Sequence, residues 1–133
     1  MITYTKTQPD TNQLATLYAA VGWTAYTKDI AALRRAFNHS VFITAWSDTE
    51  LIGLVRGITD QETILYIQDL LVLPSYQHQG IATALMRQLT TQYATGQTVL
   101  LTDDTPAMQA FYTSVGMQTV DQHGLRVFFK DIR

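Results

Sequence analysis

The chain has 133 residues, of which 47% are hydrophobic and 15% charged, with a formal net charge of −2 and no cysteine. That is enough for one domain with a real core, and it excludes a disordered chain, a disulfide framework, a thiolate metal site and a cysteine nucleophile. Clustered Lys and Arg for nucleic acid are missing, no stretch approaches the ~20 apolar residues of a membrane span, and residues 1–6 lack a secretory start, so a cytoplasmic protein is expected.

Ile2 to Lys6 alternates apolar and polar side chains and predicts a short strand. Asp10 or Thr11 can cap a helix through Leu14, Leu17, Tyr18 and Val21, which Gly22 ends. Trp23 to Tyr26 is read as a loop, and Thr27 or Asp29 starts a second helix with Ile30, Leu33 and Phe37 inward. Val41–Trp46 and Leu51–Thr59 are strands around a turn, and Thr59 to Glu62 turns the chain into a third apolar run ending in Val72-Leu73-Pro74. After a polar loop, a helix opened by Gly80 continues through Leu85, Leu89 and Tyr93 until Gly96. Thr98–Thr102 reads as an interior strand. A helix capped at Asp103, Asp104 or Thr105, with Pro106 in its first turn, carries Met108, Phe111, Tyr112 and Val115 to Gly116. Residues 118–120 and 126–130 read as a closing hairpin. The order is that of one mixed α/β domain over 1–133, and the strand–helix–strand around Gly80 should be a right-handed parallel crossover.

Residues 66–86 carry the strongest chemical signal. Pro74 cannot donate to a ladder and marks the strand end, and the following loop delivers a helix N-terminus. The first N–H groups of a helix have no intrahelical partner and sit at the positive end of its dipole, while Gly80 lets the backbone approach a phosphate. Gln77-x-x-Gly80-x-Ala82 is therefore a candidate diphosphate cradle. Two charges interrupt apolar strands. Asp69 is a candidate general base or amine clamp, or alternatively a partner for Arg56 or a backbone amide. As a base its ordinary pKa of about 3.9 is poorly matched to an ammonium near 10. Arg56 could pair with a carboxylate or meet an acidic part of a substrate. His39, His78 and His123 are too scattered for a metal site, and none is expected.

Gln77-x-x-Gly80-x-Ala82 on its strand–loop–helix resembles motif A of the GNAT acyltransferases, and Ala107-x-x-x-Phe111-Tyr112-x-x-x-Gly116-Met117 is similar to that family's C-terminal helix motif. The resemblance implies a single-domain GNAT fold: a mixed central sheet with a splayed parallel strand pair and about four helices. It implies acetyl-CoA as co-substrate. The pantetheine would add like a strand to Leu71, Val72 and Leu73, with an N–H near Leu71 polarising the thioester carbonyl. The diphosphate would rest on the amides of Gln79, Gly80, Ile81, Ala82 and Thr83, beside Gln77 and with His78 within reach. Tyr112 would be the general acid for the leaving thiolate, since phenol and thiol have similar proton affinities. Thr105 stands where the family usually has an Asn that helps hold the pantetheine. Trp23 and Tyr26, with Arg56 and Asp69, would line the acceptor side.

A small-molecule primary amine is the expected acceptor, because the short chain shows no inserted loop for a protein groove. A protein lysine or N-terminal acetyltransferase, or a non-catalytic acyl-CoA-binding module, is the alternative. A homodimer paired through the closing hairpin is compatible with the pattern.

Overall fold

The structure, a computed structural model, describes residues 1–133. Five strands form one sheet in the order β1 (Ile2–Thr5), β2 (Val41–Ser47), β3 (Glu50–Thr59), β4 (Ile64–Val72) and β5 (Gln97–Leu100). The first three joins are antiparallel, and β4 pairs β5 in parallel. A parallel join needs a crossover, which here contains helix α4 (Ile81–Gln92). Before β2 the chain forms α1 (Thr11–Ala20), α2 (Thr24–Thr27) and α3 (Ile30–Phe37), and near its end α5 (Pro106–Ser114). The mixed sheet with its parallel pair matches the expected fold class, with five helices instead of about four. The extra one is α2, a single turn where a loop was expected. Backbone contacts divide the chain into two compact parts, residues 1–101 and 102–133.

Local chemistry explains where the helices begin and end. Asp10 and Gln13 form a reciprocal capping box at α1, each side chain accepting from the other's N–H. At its other end Gly22 takes φ +82°, the Gly22 N–H donates to Ala19 O and the Trp23 N–H to Tyr18 O. Both bonds of a Schellman motif are thus present, and the motif brings the residue after the glycine back over the last turn. The Asp29 side chain caps α3.

The core under α1 and α3 is Leu14, Leu17, Tyr18, Leu33 and Phe37 packed on Leu51, Leu54 and Leu71 of the sheet. Each buried aliphatic side chain there contributes roughly 1.5–3 kcal/mol. On the other face α4 packs over the sheet, with Leu89 close to Gly57 and Leu65. Gly57 is needed there, since a Cβ would come within 2.9 Å of Tyr66 O and of the Leu65 side chain.

One irregularity in β4 decides what reaches the site. Gly57 lies opposite Ile67, but Arg56 lies opposite Asp69, so Gln68 is an extra residue, a β-bulge. Cross-strand partners share a face, and neighbours along β3 do not. Ile67 and Asp69 therefore sit on opposite faces, and Asp69 joins Leu71 on the side of α1 and α3.

Two expectations about strands are corrected. β5 is an edge of the sheet rather than an interior strand, since no strand lies beyond it. The closing hairpin is absent: Val120–His123 is a 3-10 turn closed by Gly124 at φ +69°, and residues 126–130 form no strand. Val127, Phe128 and Phe129 are three apolar residues in succession, not an alternation, and all are exposed. The route to a homodimer through hairpin edges goes with it. α4 also ends at Gln92, before Gly96, which instead approaches Thr63 where the chain enters β5.

Candidate active site

Within residues 1–101, a polar knot is built around Asp69, which is only 1% exposed. Arg56, its cross-strand partner, donates from Nε to Oδ2 at 2.7 Å. Tyr18 Oη donates to the same oxygen at 2.8 Å, and Tyr26 Oη donates to Oδ1 at 2.9 Å. Arg56 Nη1 also reaches Ser40 Oγ, and its guanidinium lies over the Phe37 ring at 5.6 Å. No buried side-chain polar atom lacks a partner, as buried charges require. Burial works against the Arg56 charge, but Asp69 offsets it and holds the guanidinium pKa above its ordinary value. Burial and the neighbouring carboxylate push both tyrosine hydroxyls, Tyr18 and Tyr26, above the usual phenol range.

The aromatic wall follows from the Schellman turn. Trp23 comes back against Tyr18, with ring centroids 6.2 Å apart, and α2 then places Tyr26 5.1 Å from Tyr18, edge to face. Trp23 stays 37% exposed. Tyr26 Oη also accepts from Gln68 Nε2 at 3.2 Å, so α2 is tied to the bulge itself.

Beyond the bulge the geometry changes from side chains to main chain. β5 pairs β4 only from Ile64↔Gln97 to Ile67↔Leu100, leaving residues 68–72 with no strand on that side. The Leu73 N–H donates to Ile52 O in β3. Main-chain groups of successive residues in an antiparallel strand point alternately to either side, so Leu71 also faces β3, while Leu70 and Val72 face the open side. Consistent with this, Val72 O accepts from Gln77 Nε2 instead of from the ladder. Leu70 and Val72, the open-side residues, flank Leu71, near which a free N–H was expected.

The loop carries the chain through a 3-10 turn, Pro74–Tyr76, to Gly80, which caps α4 at φ +80° with open space around its missing Cβ. His78 also has positive φ, at 64°. Ala84 makes the first helical bond, to Gly80 O, so the N–H groups of Ile81, Ala82 and Thr83 have no partner in the helix. Gln77 braces the loop through Val72, Gln79 lies near Ser75 O at 3.5 Å, and His78, Gln79 and Gly80 are exposed.

In residues 102–133, Thr105 caps α5 by accepting from the Met108 N–H, and Pro106 fills the first turn. Gly116 at φ +90° closes α5, with bonds from Gly116 N–H to Thr113 O and Met117 N–H to Tyr112 O. Tyr112 packs edge-on to Phe111. Burial raises its hydroxyl pKa, partly offset by a hydrogen bond with Thr102.

The structure thus joins Trp23, Tyr26, Arg56 and Asp69 in one cluster, with Leu71, Val72, Leu73 and the 77–83 loop following along the same strand. Sequence reasoning missed Tyr18, Gln68 and Ser40. Tyr18 sat in an apolar helical row and read as core; nothing in the sequence marked its hydroxyl. No group of three or more His, Cys, Asp or Glu in the chain could hold a metal ion, and no helix is long and apolar enough to cross a membrane.

The acetyltransferase (GNAT) family pattern matches residues 8–117. Among solved structures, a GNAT family acetyltransferase protein from Streptococcus pneumoniae TIGR4 is 32% identical, with TM-score 0.88 over 100% of this chain and 99% of that one. At 16% identity the fold is also shared with AAC(6')-Iy in complex with the bisubstrate analog CoA-S-monomethyl-acetylneamine, with TM-score 0.70 over 100% of this chain and 99% of that one. At 18% it is shared with the PaiA N-acetyltransferase of Thermoplasma acidophilum in complex with coenzyme A, with TM-score 0.66 over 89% of this chain and 90% of that one. The matched pattern, the parallel strands parting after Ile67 and the glycine-started helix beyond them agree: this chain belongs to the acetyltransferase (GNAT) family.

Proposed function

We propose that this acetyltransferase moves an acetyl group from acetyl-CoA directly to the primary amine of a small molecule. The observation that carries the reading is the stretch 68–72 of β4, with no strand on its β5 side, leading within one loop to the free N–H groups of α4. An amide-bearing pantetheine arm can pair with the Leu70 and Val72 main chain as an added strand, flanked by Leu71 and Leu73. The diphosphate then meets the amides of Gly80, Ile81, Ala82 and Thr83, with Gln79 and His78 in the exposed loop. Gln77 serves by holding the loop shape through Val72.

The amine lone pair attacks the thioester carbonyl, a C–N bond forms, and the C–S bond breaks as the tetrahedral intermediate collapses. Negative charge grows on the carbonyl oxygen, and an open-side amide from Leu70 or Val72 opposes it, in the role expected of an N–H near Leu71. Tyr112, kept a phenol by burial, gives its proton to the leaving thiolate, while the proton shed by the acylated nitrogen passes to solvent, from which the phenolate takes one back. Thr105 starts its helix. Asp69 and Arg56 neutralise each other, so we assign the pair to holding the acceptor wall of Trp23 and Tyr26 rather than to drawing in a cation. The complexes of AAC(6')-Iy and PaiA support a coenzyme A ligand, and the former supports a small acceptor.

The test is calorimetry with coenzyme A, followed by thiol release from acetyl-CoA with a panel of small amines. Binding is expected, and Tyr112→Phe should keep it while lowering kcat about 10²-fold, the low end for general acid catalysis. Failure of the wild type to bind millimolar coenzyme A, or full turnover in Tyr112→Phe, would remove the cofactor reading or the acid respectively.

A further inference from the structure

The last residues of the chain put large apolar side chains into water. Phe128 is 88% exposed, Phe129 73% and Ile132 91%, with Leu125 and Val127 exposed beside them. Contiguous apolar surface of this kind marks an interaction site. Val127, Phe128 and Phe129 have strand composition, yet they belong to no strand. The chain also has an unused ladder. β5 pairs β4 on one side only, and from Gln97 to Thr102 its other edge has none of the charges or prolines that blunt an edge. The Gln97 N–H donates to Thr63 O, on the β4 side. By alternation the Thr98 and Leu100 N–H groups point to the uncovered side.

We propose that residues 125–130 of one copy add as a strand to the uncovered edge of β5 in a second copy, and the reverse, giving a two-fold dimer. Each chain has one such edge and one such segment, so two exchanges use both and leave nothing to propagate. The area is sufficient. A covered aromatic ring removes roughly 150–250 Å² from water, so two rings per copy and the surface over them approach the ~1,200–2,000 Å² of a stable interface. Charge selects the β5 edge over pairing of the segment with itself. Two segments laid antiparallel about Phe128 would set Arg126 against Lys130 at both ends, a repulsion. On β5, an antiparallel segment with Phe128 opposite the exposed Leu101 of the other copy sets Arg126 opposite its Asp103. This dimer needs no hairpin, and it does not depend on the acceptor.

Sedimentation of the full chain at micromolar concentration should give twice the chain mass. Phe128→Ser with Phe129→Ser should give the chain mass and an unchanged circular dichroism spectrum, since both rings are exposed in the single chain. Thr98→Pro removes an N–H on the uncovered side and no bond to β4, and should also give the chain mass. Arg126→Asp should weaken the dimer about tenfold, because like charges then meet at two places, and Asp103→Lys in the same chain should restore it. Arg126 and Asp103 are both exposed, so this pair decides the matter even if Thr98→Pro unfolds. A wild type at the chain mass, or a dimer that survives loss of both phenylalanines or a folded Thr98→Pro, overturns the exchange. So does an Arg126→Asp dimer as tight as wild type, or a defect that Asp103→Lys leaves in place.

Discussion

The buried carboxylate within β4 and the loop beyond that strand are built in opposite ways. At Asp69 a buried carboxylate is held by three side chains, from α1, α2 and β3. A few residues on, the candidate diphosphate cradle is exposed and made of main-chain N–H groups, with side chains only shaping the loop. Side-chain sites are fragile to substitution, because removing one group strands the others in a low dielectric. Main-chain sites tolerate most replacements and are fragile only where the backbone itself is unusual.

The largest effect should therefore come from Asp69→Ala. It leaves the Arg56 guanidinium, only 5% exposed, with no counter-charge, and should cost about 3–5 kcal/mol in urea unfolding. A loss below 1 kcal/mol would mean that Arg56 finds water or another partner, and the contrast between the two places would weaken. Gly80→Ala comes next. Nothing crowds the position, so only the left-handed backbone at φ +80° is strained, at roughly 1–2 kcal/mol, and coenzyme A calorimetry should show weaker binding. Replacing neighbouring Gln79 by Ala should change neither, and equal sensitivity at both positions would show that side chains matter in the cradle.

The smallest effect sharpens the comparison with a carboxylate that is fully exposed. Asp60 caps the β3–β4 turn, accepting from the N–H groups of Glu62, Thr63 and Ile64 and from the Thr63 hydroxyl. The Thr63 hydroxyl foremost, then those N–H groups, hold its pKa well below the ordinary value. A lowered folded-state pKa means that this stabilisation is complete above the unfolded value, about 3.9, and fades as pH falls through the folded one. Asp60→Asn should accordingly lower Tm slightly at pH 7, and the difference from wild type should shrink in acid. A gap that is constant with pH would show that the carboxylate charge is not what caps the turn.

These contrasts explain what could be read in advance. Gly22, Gly80, Pro74, Pro106 and the Asp10 cap each act through local backbone rules, so the starts of α1, α4 and α5 and the turn after α1 were legible. The pairing of Asp69 with Arg56 was one of the options open because both charges broke apolar strands. Tyr18 was not legible, since a tyrosine in a helical apolar row looks the same whether or not its hydroxyl has work to do. The terminal hairpin misled because strand-like composition without a partner strand does not make a ladder. β5 looked interior because every residue from 98 to 102 is apolar or β-branched, which describes a half-covered edge equally well.

The extra residue at Gln68 reaches further than its own position. Leu65, Ile67, Asp69 and Leu71 read as an unbroken every-other rhythm, yet the first two belong to one layer of the molecule and the last two to the other. Counting by parity would send the carboxylate toward α4. Straightening the bulge, so that Gln68 rather than Asp69 met Arg56, would turn Asp69 to the other layer and exchange the amides that face outward in the same movement. The ion pair and the outward amides are thus in register with each other, and a slip in the pairing of this strand cannot alter one alone.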